Sequence, residues 1–382
     1  MHSSAALPSA RDKLLFTPGP LTTSASVKQA MLHDAGSWHY DFNAKVRWIR
    51  EELLRVARLS ESQNDPYEVV LLQGSGTFGV EAVFSTCVPT QGKVAVLSNG
   101  AYGERMLAML QAAKIDQVAL RTPENTPSDP GGLSRLLAED KGITHVAAVH
   151  CETTTGILNP IADVGAVARK HGRTFIVDAM SSFGAVPIDI RGWGIDYLIS
   201  SSNKCVEGVP GFGFVFCRRA LLLACEGQAR TVSLDLLGQL KGFEKNGQFR
   251  FTPPTHVLLA FEQALKELEL EGGVAGRGHR YHGNHRVLVE GMRRLGFQPY
   301  LGPETQSYII TSFYYPKDPR FSFETFYRSL SDKGFIIYPG KISQVDLFRI
   351  GSIGRLTVTD MQSLLAAIAL TLDQMGVARP RV

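Results

Sequence analysis

Short apolar runs alternate with amphipathic stretches from about residue 65 to residue 220. The runs are rich in Val, Ile and Phe and are bounded by Gly, Asn, Asp or Ser, which is typical of buried strands. They lie at Glu68–Leu72, Lys93–Leu97, His145–Val149, Thr174–Val177, Tyr197–Ser200 and Gly213–Cys217. Helical patterns such as Glu104–Ala113 and Ala162–Lys170 separate several of them. This alternation predicts an α/β fold in which a mostly parallel sheet lies between helices.

The pattern changes near residue 270. The glycine-rich segment Glu271–Gly278 predicts a domain boundary or a break in a helix. Elements of both kinds then follow, with helices near Arg280–Leu295 and Thr359–Met375 and extended stretches near Tyr308–Tyr314 and Phe335–Tyr338. We therefore predict an N-terminal arm (1–15), a large α/β domain (16–272) and a smaller C-terminal α+β domain (273–382).

Composition and charge exclude several classes of protein. The 40 basic and 36 acidic residues give a net charge of +4, which is too small and too dispersed for a nucleic-acid-binding surface. No segment reaches the roughly 20 apolar residues that cross a membrane, and residues 1–11 lack the pattern of a signal peptide. The five cysteines include no C-x-x-C pair, so neither a disulfide framework nor a metal site is predicted. We expect a soluble, cytoplasmic protein.

Glycine and hydroxyl residues follow the first predicted strand. Ser75, Gly76 and Thr77 stand between that strand and a helical pattern that begins near Val80. The backbone N–H groups of such a turn, the helix dipole and the two hydroxyls could bind a phosphate. A purely structural turn explains these residues equally well, and no Walker A lysine follows them.

An acid and an amine follow two later strands. Asp178 ends the run Thr174–Val177, where a buried carboxylate needs a partner such as a protonated ring nitrogen, although it could instead cap the next segment. Lys204 follows 26 residues later, after the run Tyr197–Ser200, and partial burial there would make its amine a nucleophile. A phosphate site, an acid and an amine at one sheet edge match the phosphate, the pyridine nitrogen and the aldehyde of pyridoxal phosphate. Nucleotide cofactors do not combine all three groups.

Several stretches carry a resemblance to a known family, and they extend from about residue 14 to residue 355: Phe16–Leu21, Leu71–Thr77, Ser98–Arg105, His150–Gly156, Val177–Gly184, Ser200–Lys204, Phe251–His256 and Phe348–Gly351. In these stretches the chain resembles the class-V group of fold-type I aminotransferases. The resemblance implies a seven-stranded central sheet. The Asp178–Lys204 pair is specific to the broad group. The threonine run 153–155 and the segment Phe251–His256 point to the branch that acts on phosphonates.

The resemblance implies a role for each matching residue. Lys204 would hold the aldehyde of pyridoxal phosphate and move a proton, while Asp178 would keep the pyridine nitrogen protonated. Arg349 would grip the acidic end of the substrate with its two-pronged guanidinium. The remaining cofactor contacts would be Ser75, Gly76, Thr77 and Asn203 at the phosphate, Tyr102 on the ring, Thr153 at the 3-hydroxyl, and Thr252 at the phosphate of the neighbouring subunit's cofactor. The last role implies a homodimer with active sites at the subunit interface.

The activity implied by the resemblance is transfer of the amino group of 2-aminoethylphosphonate to pyruvate, giving phosphonoacetaldehyde and L-alanine in phosphonate catabolism. An alanine–glyoxylate or serine–pyruvate aminotransferase on the same scaffold is the nearest alternative, and a lyase acting on a related phosphonate is another. A cysteine desulfurase needs a catalytic cysteine in the C-terminal half, but no cysteine follows Cys225. The non-enzyme alternative is a nucleotide-binding or scaffolding module built on the Gly74–Thr77 turn, and it predicts a colourless protein.

Overall fold

The computed structural model describes residues 12–60, 64–340 and 345–378, so residues 1–11 of the predicted N-terminal arm lie outside the described part. Within it the strands are β1 (Leu14–Leu15), β2 (Tyr67–Gly74), β3 (Lys93–Ser98), β4 (Asp116–Arg121), β5 (Ile143–Val149), β6 (Cys151–Glu152), β7 (Ile157–Leu158), β8 (Thr174–Asp178), β9 (Tyr197–Ser201), β10 (Gly211–Arg218), β11 (Ile310–Tyr314), β12 (Phe335–Ile336), β13 (Tyr338–Pro339) and β14 (Leu347–Gly351). The helices are α1 (Ala25–Ala30), α2 (Tyr40–Val56), α3 (Gly76–Cys87), α4 (Ala101–Ala112), α5 (Pro130–Glu139), α6 (Ile161–Lys170), α7 (Arg219–Leu223), α8 (Leu236–Asn246), α9 (Thr255–Leu270), α10 (Gly273–Arg294), α11 (Phe323–Asp332) and α12 (Val358–Met375).

The central sheet has seven strands in the order β2-β10-β9-β8-β5-β3-β4. Six of the seven strands run in the same direction and β10 runs opposite to them, so the predicted mostly parallel α/β sheet is confirmed. Its inner strands are buried along nearly their whole length because helices cover both faces. The apolar runs of the sequence are visible for that reason.

Strand β4 was not predicted from the sequence pattern. It lies at the edge of the sheet, its two end residues Asp116 and Arg121 are exposed, and its central residues are only half-buried. An edge strand with one covered side needs no continuous apolar run, so it gives a weaker signal than an inner strand.

Two helix starts differ from the predicted positions. Helix α3 begins at Gly76 rather than near Val80, because the carbonyl of Ser75 already accepts hydrogen bonds from the N–H groups of Phe78 and Gly79. Most of the predicted break at Glu271–Gly278 belongs to helix α10, and the interruption is limited to Glu271 and Gly272, where Gly272 has φ +94°. Glycines have low helix propensity and therefore hide the first turns of α10 from a pattern analysis.

The C-terminal part has its own small sheet and core. The sheet has the order β11-β14-β13, and helices α10, α11 and α12 pack beside it. Leu14 of strand β1 pairs with Phe335, and Phe16 is buried in the same apolar cluster as Phe348 and Ile368. The first described residues therefore pack on the C-terminal core, and the chain enters the large sheet only afterwards. The division of the chain at residues 272 and 273 stays a prediction.

Candidate cofactor and substrate site

Most of the side chains singled out in the sequence follow strands that end at one edge of the central sheet. Strands β3, β5, β8 and β9 run parallel, so their carboxyl ends meet there. Strand β2 ends at the same edge because it is antiparallel to β10, which is antiparallel to β9. The register places Gly74 opposite Gly211 and Ser201 opposite Gly213. Ligands of open α/β sheets bind at this edge.

The turn between β2 and α3 is shaped for an anion. Ser75 is the N-cap of α3, yet its hydroxyl makes no capping hydrogen bond. The first backbone N–H groups of a helix have no partner within the helix and carry its positive dipole. A Cβ at Gly76 would lie 2.1 Å from Sδ of Met180, so a side chain there would displace the side chain of Met180. The geometry therefore leaves donors of this turn available for a phosphate.

Asp178 ends strand β8 and is 5% exposed. Its Oδ1 accepts a hydrogen bond from the N–H of Met180 at 2.9 Å, and it forms no ion pair with any residue that the structure describes. Burial raises the pKa of Asp178 to about 6, although the nearby amine of Lys204 acts in the opposite direction. A protonated ring nitrogen would stabilise the carboxylate in this position.

Lys204 follows strand β9, and its amine is held by the N-terminal segment. Nζ donates a hydrogen bond to the carbonyl oxygen of Pro18 at 2.5 Å. Gly19 has φ +107°, and a Cβ there would lie 2.7 Å from Cδ of Lys204, so a side chain would displace the lysine. Burial lowers the pKa of Lys204 from 10.5 to about 8, which makes the uncharged, nucleophilic amine available near neutral pH.

Tyr102 lies in helix α4, which follows β3, and Thr153 lies in the turn after the short strand β6. Tyr102 is half-buried in the first turn of α4, and burial raises its pKa. The hydroxyl oxygens of Thr153 and Ser181 lie 2.6 Å apart and share a hydrogen bond, which links the loop after β5 to the segment that follows Asp178. Both predicted residues are thus close to segments that carry the acid and the phosphate turn.

Asn203 and Thr252 lie at the margin of this group. Asn203 is half-buried beside Lys204, and its backbone oxygen would lie 2.9 Å from a Cβ at Gly19. Thr252 is exposed, and its backbone carbonyl accepts a hydrogen bond from Nε2 of Gln73 at 2.9 Å. The structure places the segment of Thr252 against the end of β2 but leaves the residue open to solvent.

Arg349 reaches the site from the small C-terminal sheet. It lies on β14, is 2% exposed, and donates from Nη1 to the carbonyl of Thr153 at 2.7 Å and from Nε to the carbonyl of Pro339 at 3.0 Å. Its guanidinium carbon lies 4.9 Å from the centre of the Tyr338 ring. No carboxylate among the described residues forms an ion pair with it, and burial lowers its pKa. An anionic ligand would compensate this buried charge.

Glu152 belongs to the site but was not singled out in the sequence. It is fully buried; its Oε1 accepts from the N–H of Thr154 at 3.1 Å, and its Oε2 accepts from the N–H of Tyr102 at 3.2 Å. Burial raises its pKa. The carboxylate thus fixes the first turn of α4. Asp178 was identified because it comes directly after a buried apolar run, whereas Glu152 follows the end of β5 by three residues and gave a weaker signal of the same kind.

The family comparison matches the chain to the class-V aminotransferases over residues 26–337. The chain is 52% identical to the 2-aminoethylphosphonate–pyruvate transaminase of Klebsiella pneumoniae and 53% identical to that of Salmonella typhimurium, in each case over 94% of this chain and 97% of the relative.

Solved structures with the same fold include two aminotransferases. The ureidoglycine–glyoxylate aminotransferase of Bacillus subtilis has a TM-score of 0.88 at 20% identity and covers 98% of this chain and 96% of its own. The pyridoxamine–pyruvate aminotransferase of Mesorhizobium loti has a TM-score of 0.86 at 21% identity, covering 97% of this chain and 95% of its own. These similarities confirm the fold-type I architecture.

The residues present fit pyridoxal phosphate. Asp178 is buried and Lys204 is half-buried, and neither forms an ion pair within the described ranges. The hydroxyl of Ser75 and the start of α3 supply donors for a phosphate. Among the described residues no group of three or more His, Cys, Asp or Glu could hold a metal ion, and no helix is long and apolar enough to cross a membrane. The family match, the near-full-length relatives and the shared fold together identify the chain as a member of the class-V family of pyridoxal-phosphate-dependent aminotransferases.

Proposed function

We propose that the protein transfers the amino group of 2-aminoethylphosphonate to pyruvate, giving phosphonoacetaldehyde and L-alanine. Relatives that bear this activity in their names are 52–53% identical to the chain over 94% of its length. The single structural observation that carries the proposal is the buried, unpaired guanidinium of Arg349 beside the loop of Thr153. Both substrates carry one acidic group near the reacting carbon: the carboxylate of pyruvate is bonded to that carbon, and the phosphonate of 2-aminoethylphosphonate is one CH2 group away. One arginine can therefore serve each in turn.

Arg349 would orient the substrate rather than take part in bond making. Its hydrogen bonds to the carbonyls of Thr153 and Pro339 hold the guanidinium plane in place. A planar guanidinium binds two oxygens of a phosphonate or a carboxylate at once. Burial disfavours the charged form of Arg349, so the empty protein is destabilised by this charge. An anionic substrate would pair with the guanidinium and offset that destabilisation. Binding of either substrate at its acidic end would leave its amino or keto group at the cofactor.

We propose that Asp178 and Lys204 carry the chemistry. Pyridoxal phosphate, when bound, carries the amino group between the two substrates and stabilises negative charge on the carbon that bears it. Asp178 would hold the proton of the ring nitrogen. Lys204 would hold the cofactor through Nζ and, once displaced by a substrate amine, accept and return the proton of the substrate carbon. An amine with a pKa of about 8 suits both directions of that transfer near neutral pH.

The remaining predicted residues would hold the cofactor. We propose that the phosphate binds at Ser75, Gly76 and Thr77, that Tyr102 packs on the ring, and that Thr153 contacts the ring hydroxyl. The hydroxyl of Ser75, which makes no capping hydrogen bond, and the start of helix α3 at Gly76 support the first assignment. The position of Tyr102 in the first turn of α4 supports the second.

The proposed donor is tested by one half of the reaction. We expect the visible absorbance band of the cofactor-loaded protein to disappear when 2-aminoethylphosphonate is added without a keto acid, and to return when pyruvate follows. L-Serine should leave the band unchanged. Lys204→Ala should abolish turnover. If the band does not change with 2-aminoethylphosphonate but disappears with L-serine, the proposed donor is wrong and the protein is a serine–pyruvate aminotransferase. Phosphate release without a keto acid would indicate a lyase.

We also propose that the active unit is a homodimer in which Thr252 serves the neighbouring subunit's cofactor. Large apolar side chains are exposed on the single chain, including Trp38 (76%), Tyr40 (74%) and Phe251 (45%), which supports a covered surface. Mixing Lys204→Ala and Thr252→Ala subunits tests it. A mixed dimer holds one site with both residues intact, so it should bind the cofactor more tightly than Thr252→Ala alone. Unchanged affinity, or a monomer in sedimentation, would contradict the proposal.

A cytoplasmic location is likewise proposed. All five cysteines are buried and free, as expected for a reducing compartment. Burial raises the pKa of the Cys205 thiol next to Lys204 well above its usual range, so this thiol is unreactive. Cell fractionation with detection of the protein by antibody would test the location.

A further inference from the structure

The proposed phosphate site has no positive side chain of its own. The segment Gln73–Gly79 contains neither lysine nor arginine. A phosphate monoester carries close to two negative charges near neutral pH, whereas a helix N-terminus supplies the equivalent of about half a positive charge. The turn therefore needs a cation from another element if it is to bind the phosphate tightly.

Arg105 of helix α4 contacts this turn directly. Its Nη1 donates a hydrogen bond to the hydroxyl oxygen of Thr77 at 3.2 Å. Its guanidinium carbon lies 4.7 Å from the centre of the Tyr102 ring, one turn earlier on the same helix. The hydroxyl and the ring hold the guanidinium beside the start of α3 and oppose its reorientation.

The charge of Arg105 is not compensated within the described residues. No carboxylate there forms an ion pair with it, and its bond to Thr77 uses one of five N–H donors. The neighbouring Glu104 is bound by Nε and Nη2 of Arg121 at 2.9 and 3.0 Å. The charge of Arg105 also helps to lower the pKa of Asp178, so it acts on the interior of the site.

We propose that Arg105 is a binding residue for the phosphate ester of the cofactor and supplies the charge that the β2–α3 turn lacks. The contact with Thr77 assigns Arg105 to the phosphate end of the site, whereas Arg349 lies at the loop of Thr153. The inference rests on the cofactor of the family and not on the identity of the donor. It therefore survives if the proposed substrate is wrong.

The experiment compares two aldehydes that differ only in the phosphate. Cofactor-free protein is titrated with pyridoxal phosphate and with 5′-deoxypyridoxal, and the dissociation constants are read from absorbance. For Arg105→Gln we expect pyridoxal phosphate to bind roughly 10- to 100-fold more weakly, since one charge-assisted hydrogen-bonded pair is lost. The affinity for 5′-deoxypyridoxal should not change. Arg105→Lys keeps the charge and should lose less.

Arg121→Gln is the matched control. Arg121 also lies near Arg105, but it forms an ion pair with Glu104, the residue that precedes Arg105. Neither affinity should change in this variant. Equal weakening for both aldehydes in Arg105→Gln would overturn the proposal and assign Arg105 to the packing of Tyr102. Unchanged affinities with a raised KM for 2-aminoethylphosphonate, but not for L-alanine, would also overturn it and place the substrate phosphonate at Arg105. If Arg105→Gln does not fold, the two aldehydes are compared in Arg105→Lys.

Discussion

Arg277 and Arg349 are both buried arginines, but they differ in whether a carboxylate of the protein pairs with the guanidinium. Arg277 is 0% exposed, and its Nε donates to a carboxylate oxygen of Glu271 at 2.5 Å. Arg349 is 2% exposed and donates only to carbonyl oxygens in its described contacts. A buried charge is costly without a partner. Arg277 is paired with a carboxylate of the protein itself, whereas Arg349 is free to pair with an anionic ligand.

The paired region has an architectural task. Glu207, Glu271, Arg277 and Arg280 form an ionic cluster, in which Arg280 donates to Glu207 at 2.7 Å and to Glu271 at 2.6 Å. Glu207 also donates its N–H to the carbonyl of Lys204 at 2.8 Å. Burial lowers the pKa of Arg277, but its neighbours outweigh burial and raise it. The ionic cluster therefore fixes the turn after Lys204 on helix α10.

Removal of Arg277 gives the largest expected effect. In Arg277→Met, Glu207 and Glu271 lose a partner inside the protein, so we expect the free energy of unfolding to fall by about 3–5 kcal/mol. Denaturant unfolding of the cofactor-free protein measures it. Arg293→Met, on the exposed face of the same helix, should cost less than about 0.5 kcal/mol. Equal losses in the two variants would remove the basis for treating the ionic cluster as architectural.

Removal of Arg349 should have the reverse pattern. We expect Arg349→Gln to lower kcat/KM for both 2-aminoethylphosphonate and pyruvate by roughly 100- to 1,000-fold, the cost of deleting one partner of a buried charge pair. The free energy of unfolding without ligand should stay the same or rise, because no carboxylate is left unpaired. Arg328→Gln, an exposed arginine on α11 that pairs with Glu324, is the control. A large loss of stability with little loss of activity would make Arg349 a second structural arginine.

Asp178 extends the comparison to an unpaired buried acid. Burial raises its pKa from 3.8 to about 6, so ionisation of Asp178 destabilises the cofactor-free protein progressively between these two pH values and by a constant amount above them. The stabilising effect of its neutral form is fully present below 3.8 and is lost as the pH rises through 6. Asp178→Asn should therefore raise the free energy of unfolding by up to about 3 kcal/mol at pH 7.5 and by nothing at pH 3.5. An equal difference at both pH values would mean that the substitution acts through packing. Cofactor affinity should fall in this variant.

Sequence reasoning identified the residues that follow buried parallel strands, because the strands are visible as apolar runs and their carboxyl ends share an edge. Asp178 and Lys204 could be proposed on this basis alone. Arg349 depended on the resemblance, because its partner loop at Thr153 lies 196 residues away in the chain. The ionic cluster gave no signal, since Glu207 and Arg280 are ordinary charged residues until the fold buries them together. The contact of Pro18 with Lys204 was hidden in the same way.

The smallest effect concerns the pH at which the protein accepts its cofactor. Burial lowers the pKa of Lys204 from 10.5 to about 8. The fraction of uncharged amine therefore rises with pH up to about 8 and is nearly complete above it. We expect the rate at which 5′-deoxypyridoxal attaches to the cofactor-free protein to rise about tenfold per pH unit below 8 and to level off above it. This aldehyde lacks the phosphate, whose own pKa near 6 would otherwise contribute. The same measurement on Asp178→Asn removes the second titrating group and should move the midpoint down, because the negative charge of Asp178 favours the protonated amine. A rate that keeps rising towards pH 10 would show that the amine of Lys204 is paired or solvated in solution. Lys204 would then not belong with Arg349 and Asp178 among the buried groups that lack a charged partner.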